Sequence, residues 1–117
     1  MADNVLLTFR ITANGHCRIF REKDAQMWDD NAGDFGSVTT VTPANAAIGI
    51  TYTANHKVGV VQLPSGMATK YGRYKILLYN ATAAAAAAGD EAVHIFIVDY
   101  TEYGIQVIED QVLSVSR

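Results

Sequence analysis

Oily side chains recur every second residue along most of this chain, and that rhythm constrains its fold more than any other feature. A two-residue repeat is the period of a β-strand with one face buried. In "NVLLTFRIT" Val5, Leu7, Phe9 and Ile11 fall on one side, with Thr8, Arg10 and Thr12 on the other. "ANG" at 13–15 marks a turn, because Asn and Gly accept positive φ. "HCRIFRE" aligns Cys17 with Ile19 and sends Phe20 the opposite way, and "AQMW" reads as a short third strand. "AIGITYT" aligns Ile48, Ile50 and Tyr52; "KVGVVQL" aligns Val58 with Val60 and sets Val61 and Leu63 against them; "ANH" at 54–56 is the turn between. "LPSGMATKYG" reads as loop, with Pro64 ending the strand. "RYKILLYN" aligns Tyr74, Ile76 and Leu78, and "AVHIFIVDY" aligns Val93, Ile95 and Ile97.

This pattern gives about seven or eight strands joined by short polar turns, with no amphipathic helix of normal length. Strands that each offer one apolar face are satisfied by a two-layer antiparallel β-sandwich, with a small barrel as the nearest rival. The expected core is Trp28, Ile50, Tyr74, Ile76 and Ile95. Residues 1–100 form the sandwich domain; residues 101–117, "TEYGIQVIEDQVLSVSR", form an extended arm or an added edge strand with no evident partner in the core.

One segment breaks the rhythm. "ATAAAAAAGDEA" holds six consecutive alanines at 83–88, ended by Gly89. Alanine is the best helix former, yet an isolated helix needs about 12–15 residues in water. The segment therefore reads as a loop, with at most one helical turn. Its small, uncharged surface suits close contact with a neighbour, and low-complexity drift in a tolerant loop is the plain alternative.

The 117 residues make one domain, long enough for one modest core. The charge of −3, with Lys and Arg unclustered, argues against nucleic-acid binding driven by phosphate attraction. No stretch approaches the ~20 apolar residues of a membrane helix, and "VLL" is too short for a signal-peptide core, so synthesis in a cytoplasm is expected. Cys17 is the single cysteine; it has no intrachain disulfide partner and reads as a small core residue rather than a nucleophile.

Candidate chemistry is sparse. Asp29, Asp30, Asn31, Gly33 and Asp34 bring hard oxygen ligands together as Ca²⁺ prefers them, but the spacing misses the EF-hand loop and a solvated turn explains it better. His16, His56 and His94 lie on three separate elements without zinc-site spacing. Ser65, Gly66 and Lys70 match no catalytic spacing, and no nucleophile elbow, P-loop or dinucleotide fingerprint is present. No catalytic residue, cofactor or metal is assigned. Trp28, Tyr71, Tyr74, Tyr79, Tyr100 and Tyr103 would serve a carbohydrate-binding module if exposed; packing in the core or at its rim is the competing reading.

A longer-range order runs through the same residues. A first strand leads to Arg18, Ile19 and Phe20, then through a polar turn to Gln26, Met27 and Trp28, then to a short acidic loop with Gly33 and Phe35. Leu63, Pro64 and Gly66 follow, then Gly72, Tyr74 and Ile76, then the alanines at 83–88, then Asp99 and Tyr100. Over roughly residues 4–100 this order resembles a family of small β-sandwich virion structural proteins of tailed bacteriophages. Two departures stand out: "VDYTEYG" replaces the Trp-Asp with which that family often ends, and the chain runs on for 17 residues past Tyr100.

The resemblance implies a non-enzymatic virion protein: a head decoration (cement) protein on the major capsid protein, or part of a tail, baseplate or fibre. It implies a homo-oligomer, with trimers fitting three-fold lattice axes, that needs neither nucleic acid nor membrane. Contact with neighbours is expected through strand edges. The first strand and the C-terminal segment supply the candidates Val5, Leu7, Ile105, Val107, Val112, Leu113 and Val115.

Overall fold

A computed structural model describes residues 6–11, 14–62, 71–90 and 92–112. The described residues form two antiparallel sheets that pack as a sandwich, one of three strands and one of seven. The strands are β1 (Leu6–Arg10), β2 (His16–Arg21), β3 (Gln26–Asp29), β4 (Asp34–Gly36), β5 (Ile48–Gly49), β6 (Thr51–Thr53), β7 (Val58–Gln62), β8 (Gly72–Tyr79), β9 (Ala92–Thr101) and β10 (Gly104–Val112). The small sheet runs β1-β7-β6. The large sheet runs β10-β9-β8-β2-β3-β4, with β5 also paired to β2.

Register decides which side chains face inward. Cys17 pairs with Leu78 and Ile19 with Ile76 across β2 and β8; Ile76 pairs with Phe96 and Tyr74 with Val98 across β8 and β9. These residues share one face because side chains alternate along a strand. That face packs against Ile48, Ile50 and Val61, with Leu7 and Ile11 beside them, and buries Trp28 and Tyr100. Burying Trp and Tyr removes about 150–250 Å² each from water, so Trp28, Tyr74 and Tyr100 dominate this core. Trp28 meets Phe35 edge-on at 5.2 Å between ring centroids, and Phe35 stacks on Tyr74 at 5.6 Å.

Two sequence expectations are corrected here. "AIGITYT" is not one strand. Ile48 and Gly49 pair with β2 in the large sheet, whereas Thr51 to Thr53 pair with β7 in the small one. The chain crosses between layers at Ile50, whose buried side chain plugs the crossing. Ile95 is not in the core either. It pairs with Leu77 on the outward face of the large sheet and is only half-buried; Phe96, Val98 and Tyr100 take the inward places. In β9 both faces are apolar, so alternation alone does not say which is inside.

The C-terminal segment also differs from a free arm. β10 folds back along β9 from Gly104↔Thr101 to Val112↔His94, with a bulge between Val107 and Glu109. A turn at Glu102 and Tyr103 makes the hairpin, and Gly104 takes the positive φ (115°) that the reversal needs. Residues 104–112 are thus an edge strand of the chain's own large sheet.

The outward face of the large sheet carries a second, smaller apolar cluster. Met27, Val41 and Ala46 are buried there, with Phe20 packed against them. Ala46 comes from the short helix α1 (Pro43–Ala46), which Thr42 caps by accepting a hydrogen bond from Asn45 N at 3.3 Å, and Pro43 begins.

Candidate functional site

The sequence "HCRIF" places His16 and Arg18 on the face of β2 opposite Cys17 and Ile19, where a solvent-facing position would be ordinary. Both are buried instead. The cover is the alanine-rich loop at 81–90, which includes a 3₁₀ turn at Ala83–Ala85. Alanine side chains bring little grip of their own, and three polar contacts from β2 hold the loop.

His16 Nδ1 lies 2.6 Å from Ala81 O. A carbonyl only accepts, so Nδ1 carries the proton and donates. Arg18 Nε donates to His16 Nε2 at 3.1 Å, so that nitrogen is the bare one. The two bonds together fix a neutral imidazole in a single tautomer. Arg18 Nη2 donates to Ala87 O at 3.2 Å and reaches Asp90 Oδ2 at 3.4 Å. The same Asp90 oxygen accepts from Ala87 N at 2.8 Å, closing the end of the loop. Tyr79, cross-strand from His16, completes the cluster. His16 stacks on its ring at 4.9 Å with planes 4° apart, and the Arg18 guanidinium lies over the ring at 4.1 Å.

Burial dominates the electrostatics. Desolvation draws the His16 imidazole below its ordinary value of 6.5; Arg18 pushes the same way, while the Ala81 bond and Asp90 oppose it. Desolvation raises the Tyr79 phenol, and Arg18 partly offsets that. Burial pushes the Cys17 thiol up to about 12, which leaves it protonated and inert at neutral pH.

Two concavities flank Phe20 on this outer face. One, of about 470 Å³, is lined by Arg18, Phe20, Met27, Val38, Thr42 and their neighbours. The other, of about 330 Å³, is lined by Phe20, Arg21, Glu22, Ala25, Lys75 and Leu77. At its rim Arg21 grips Asp24 with two bonds, at 3.0 and 2.8 Å, and Gln26 Oε1 at 2.9 Å. Arg21 holds the Asp24 carboxyl below its ordinary value.

The other candidates fall in separate places. The aspartates of 29–34 are occupied by local donors: Asp29 Oδ1 accepts from Asn31 N and Ala32 N, and Asp30 Oδ1 accepts from Trp28 Nε1, all at 3.0 Å. Among the described residues no three His, Cys, Asp or Glu side chains group as a metal site. His56 is exposed in the turn before β7, while His94 stacks on Phe96 at 4.2 Å. Ser65, Gly66 and Lys70 lie outside the described residues. Trp28, Tyr74, Tyr79 and Tyr100 are buried, leaving Tyr71 and Tyr103 exposed, at 49% and 92%.

Of the proposed contact residues, Leu7 packs against the core, so its apolar surface is largely used inside the chain. Val107 stands on the edge strand at 50% exposure, with Ile108 beside it at 46%. Ile105 and Val112 occupy backbone positions of β10, opposite Tyr100 and His94. Val5, Leu113 and Val115 lie outside the described residues. The His16–Arg18–Asp90 anchor escaped the sequence reading because its partners lie 65 to 72 residues apart. Its one local signal was a His and an Arg alternating with buried apolar residues.

No protein-family model, curated protein or solved structure matches this chain.

Proposed function

We propose that the chain is a non-enzymatic structural component of a tailed-phage virion, acting as a capsid decoration protein that stabilises the shell through subunit contacts. The observation that carries this reading is where the residues of the resemblance lie. Arg18, Ile19, Trp28, Phe35, Tyr74 and Ile76 are scattered in sequence but belong to one connected part of the large sheet. Ile19 pairs with Ile76, Trp28, Phe35 and Tyr74 form one aromatic chain, and Arg18 holds the loop on the opposite face. They frame a rigid slab, which is what a cement protein requires.

The working surface in this reading is the border of the slab. Among the described residues β10 lies at the end of the large sheet, paired with β9, and a terminal strand offers its outer hydrogen-bonding groups to a neighbour. Val107 and Ile108 add exposed apolar surface there. The bulge beside them and the sequence "ED" at 109–110 disfavour indiscriminate strand addition, so a shaped partner is preferred to a random edge. Many copies on a closed lattice, as trimers or another homo-oligomer, make individually weak contacts effective through avidity.

The test is co-sedimentation of the purified chain with expanded shells of the phage that encodes it. Wild type should travel with the shells, and Val107→Asp with Ile108→Asp should remain at the top of the gradient. Wild type that stays free while binding tails or baseplates would move the site to the tail. Binding to neither would reject the reading.

A further inference from the structure

We propose that the loop at 81–90 is a pH-operated strap: neutral His16 holds it against the outer face of the large sheet, and protonation of His16 releases it. The inference stands on the anchor geometry and does not depend on the virion reading.

The loop is built to depend on that anchor. From Ala81 to Gly89 its side chains are methyl groups, one threonine and one hydrogen. Its internal bonds are few, among them Ala85 N to Thr82 O at 2.9 Å and Asp90 N to Ala87 O at 3.2 Å. Among the described residues, its polar ties to the sheet are Ala81 O on His16 and Ala87 O with Asp90 on Arg18, and its 3₁₀ turn packs against α1. The first tie needs the proton on Nδ1, and the second is steadied by the bare Nε2 accepting from Arg18 Nε. A proton added at Nε2 removes that acceptor, strands the Arg18 N–H and sets two cations 3.1 Å apart in a buried place.

Among the described residues, the charges around His16 do not rescue the cation. Arg18 faces it from the same strand, Asp90 from the loop and Tyr79 from β8; α1 and β5 contribute no titratable side chain. Arg18 and Asp90 already neutralise each other, so the extra proton leaves the cluster with a net positive charge. Opening the strap lets water reach the imidazolium and separates it from Arg18. Opening also uncovers the guanidinium and Tyr79 beside the 470 Å³ groove.

The sign follows from linkage. His16 binds its proton less tightly in the closed state than in the open one. Closure is therefore complete above the open-state value near 6.5 and weakens as pH falls through and below it. Each unit between the closed and open values shifts the opening equilibrium about tenfold.

The experiment is amide hydrogen exchange of the intact chain between pH 7.5 and 5, corrected for intrinsic rates, alongside NMR titration of the His16 ring. Opening of residues 81–90 should rise as pH falls, with the midpoint of the His16 titration, while core amides of β8 stay protected. His16→Asn, which keeps a donor for Ala81 O but does not titrate, should flatten the response. Asp90→Asn should weaken closure at every pH without moving the midpoint to that of a carboxylate. Loop exchange that is flat across the titration, or that tracks a midpoint other than that of His16 in the wild-type chain, overturns the proposal. An equal rise in His16→Asn also overturns it.

Discussion

Arg18 lies over Tyr79, its guanidinium carbon 4.1 Å from the ring centroid, on the face of the large sheet that points away from the main core. A cation stacked on an aromatic ring, bonded to an imidazole and to two groups of a distant loop, is a structural fastener. Arg18→Met keeps most of the side-chain bulk but strands His16 Nε2 and Asp90. It should cost about 2–4 kcal/mol in urea unfolding, because one partner of a buried polar cluster is removed. Arg18→Lys should recover little, since a single ammonium does not reproduce the planar fork. A loss below about 0.5 kcal/mol for Arg18→Met would mean the loop is held some other way.

Trp28 is the largest plug of the main core, 2% exposed, with its indole N–H donating to Asp30. Trp28→Ala should cost about 3–5 kcal/mol through lost burial and the cavity left behind. Trp28→Phe keeps most of the ring contact and loses the Asp30 bond, so a smaller loss is expected. Thermal or urea unfolding of the two variants measures the difference. Equal, small losses would place the indole outside the core.

Gly59 lies on β7 where the side chains of Ile11 and Ile50 close over its backbone. A Cβ added there would sit 2.4 Å from Ile11 Cδ1 and 2.7 Å from Ile50 Cγ2. Gly59→Ala should therefore destabilise by about 1–3 kcal/mol. Ile11→Val removes the offending Cδ1, so the double variant should be less destabilised than the sum of the two single changes. Simple additivity in a denaturant-based cycle would contradict the packing described.

Ala25 holds φ at 55° in the turn from β2 to β3, a left-handed conformation that costs an L-residue about 1–2 kcal/mol. Ala25→Gly removes that strain while adding freedom to the unfolded chain, for a net gain of about 0.5–1 kcal/mol. Lys23→Gly in the same turn, where φ is not positive, should destabilise instead. A higher melting temperature for the first and a lower one for the second is the expected pair of results.

The two-layer β architecture was legible from alternation where one face of a strand is plainly polar or the strand is short. β2 and β8 show it: Cys17, Ile19, Tyr74, Ile76 and Leu78 face inward as the pattern predicts. Alternation failed at Ile95, because β9 is apolar on both faces and its outward side is itself half-covered. Ile50 is in the core as the pattern predicts, but "AIGITYT" is not one strand, because a residue that crosses between layers keeps the rhythm of a continuous strand while its neighbours change sheets. The C-terminal pairing was signalled by Gly104, which follows the Glu102-Tyr103 turn between two apolar runs that are easily taken for one. The outer anchor was invisible for a different reason: His16, Arg18 and Asp90 meet only after β2, β8 and the loop are already in place.

The proposed virion role is decided by quantitative mass spectrometry of purified particles of a tailed phage whose genome carries this sequence. In washed particles the chain should be present at a copy number comparable with that of the shell subunits. Recovery of the protein only in the soluble lysate, with none in particles, would overturn the proposal.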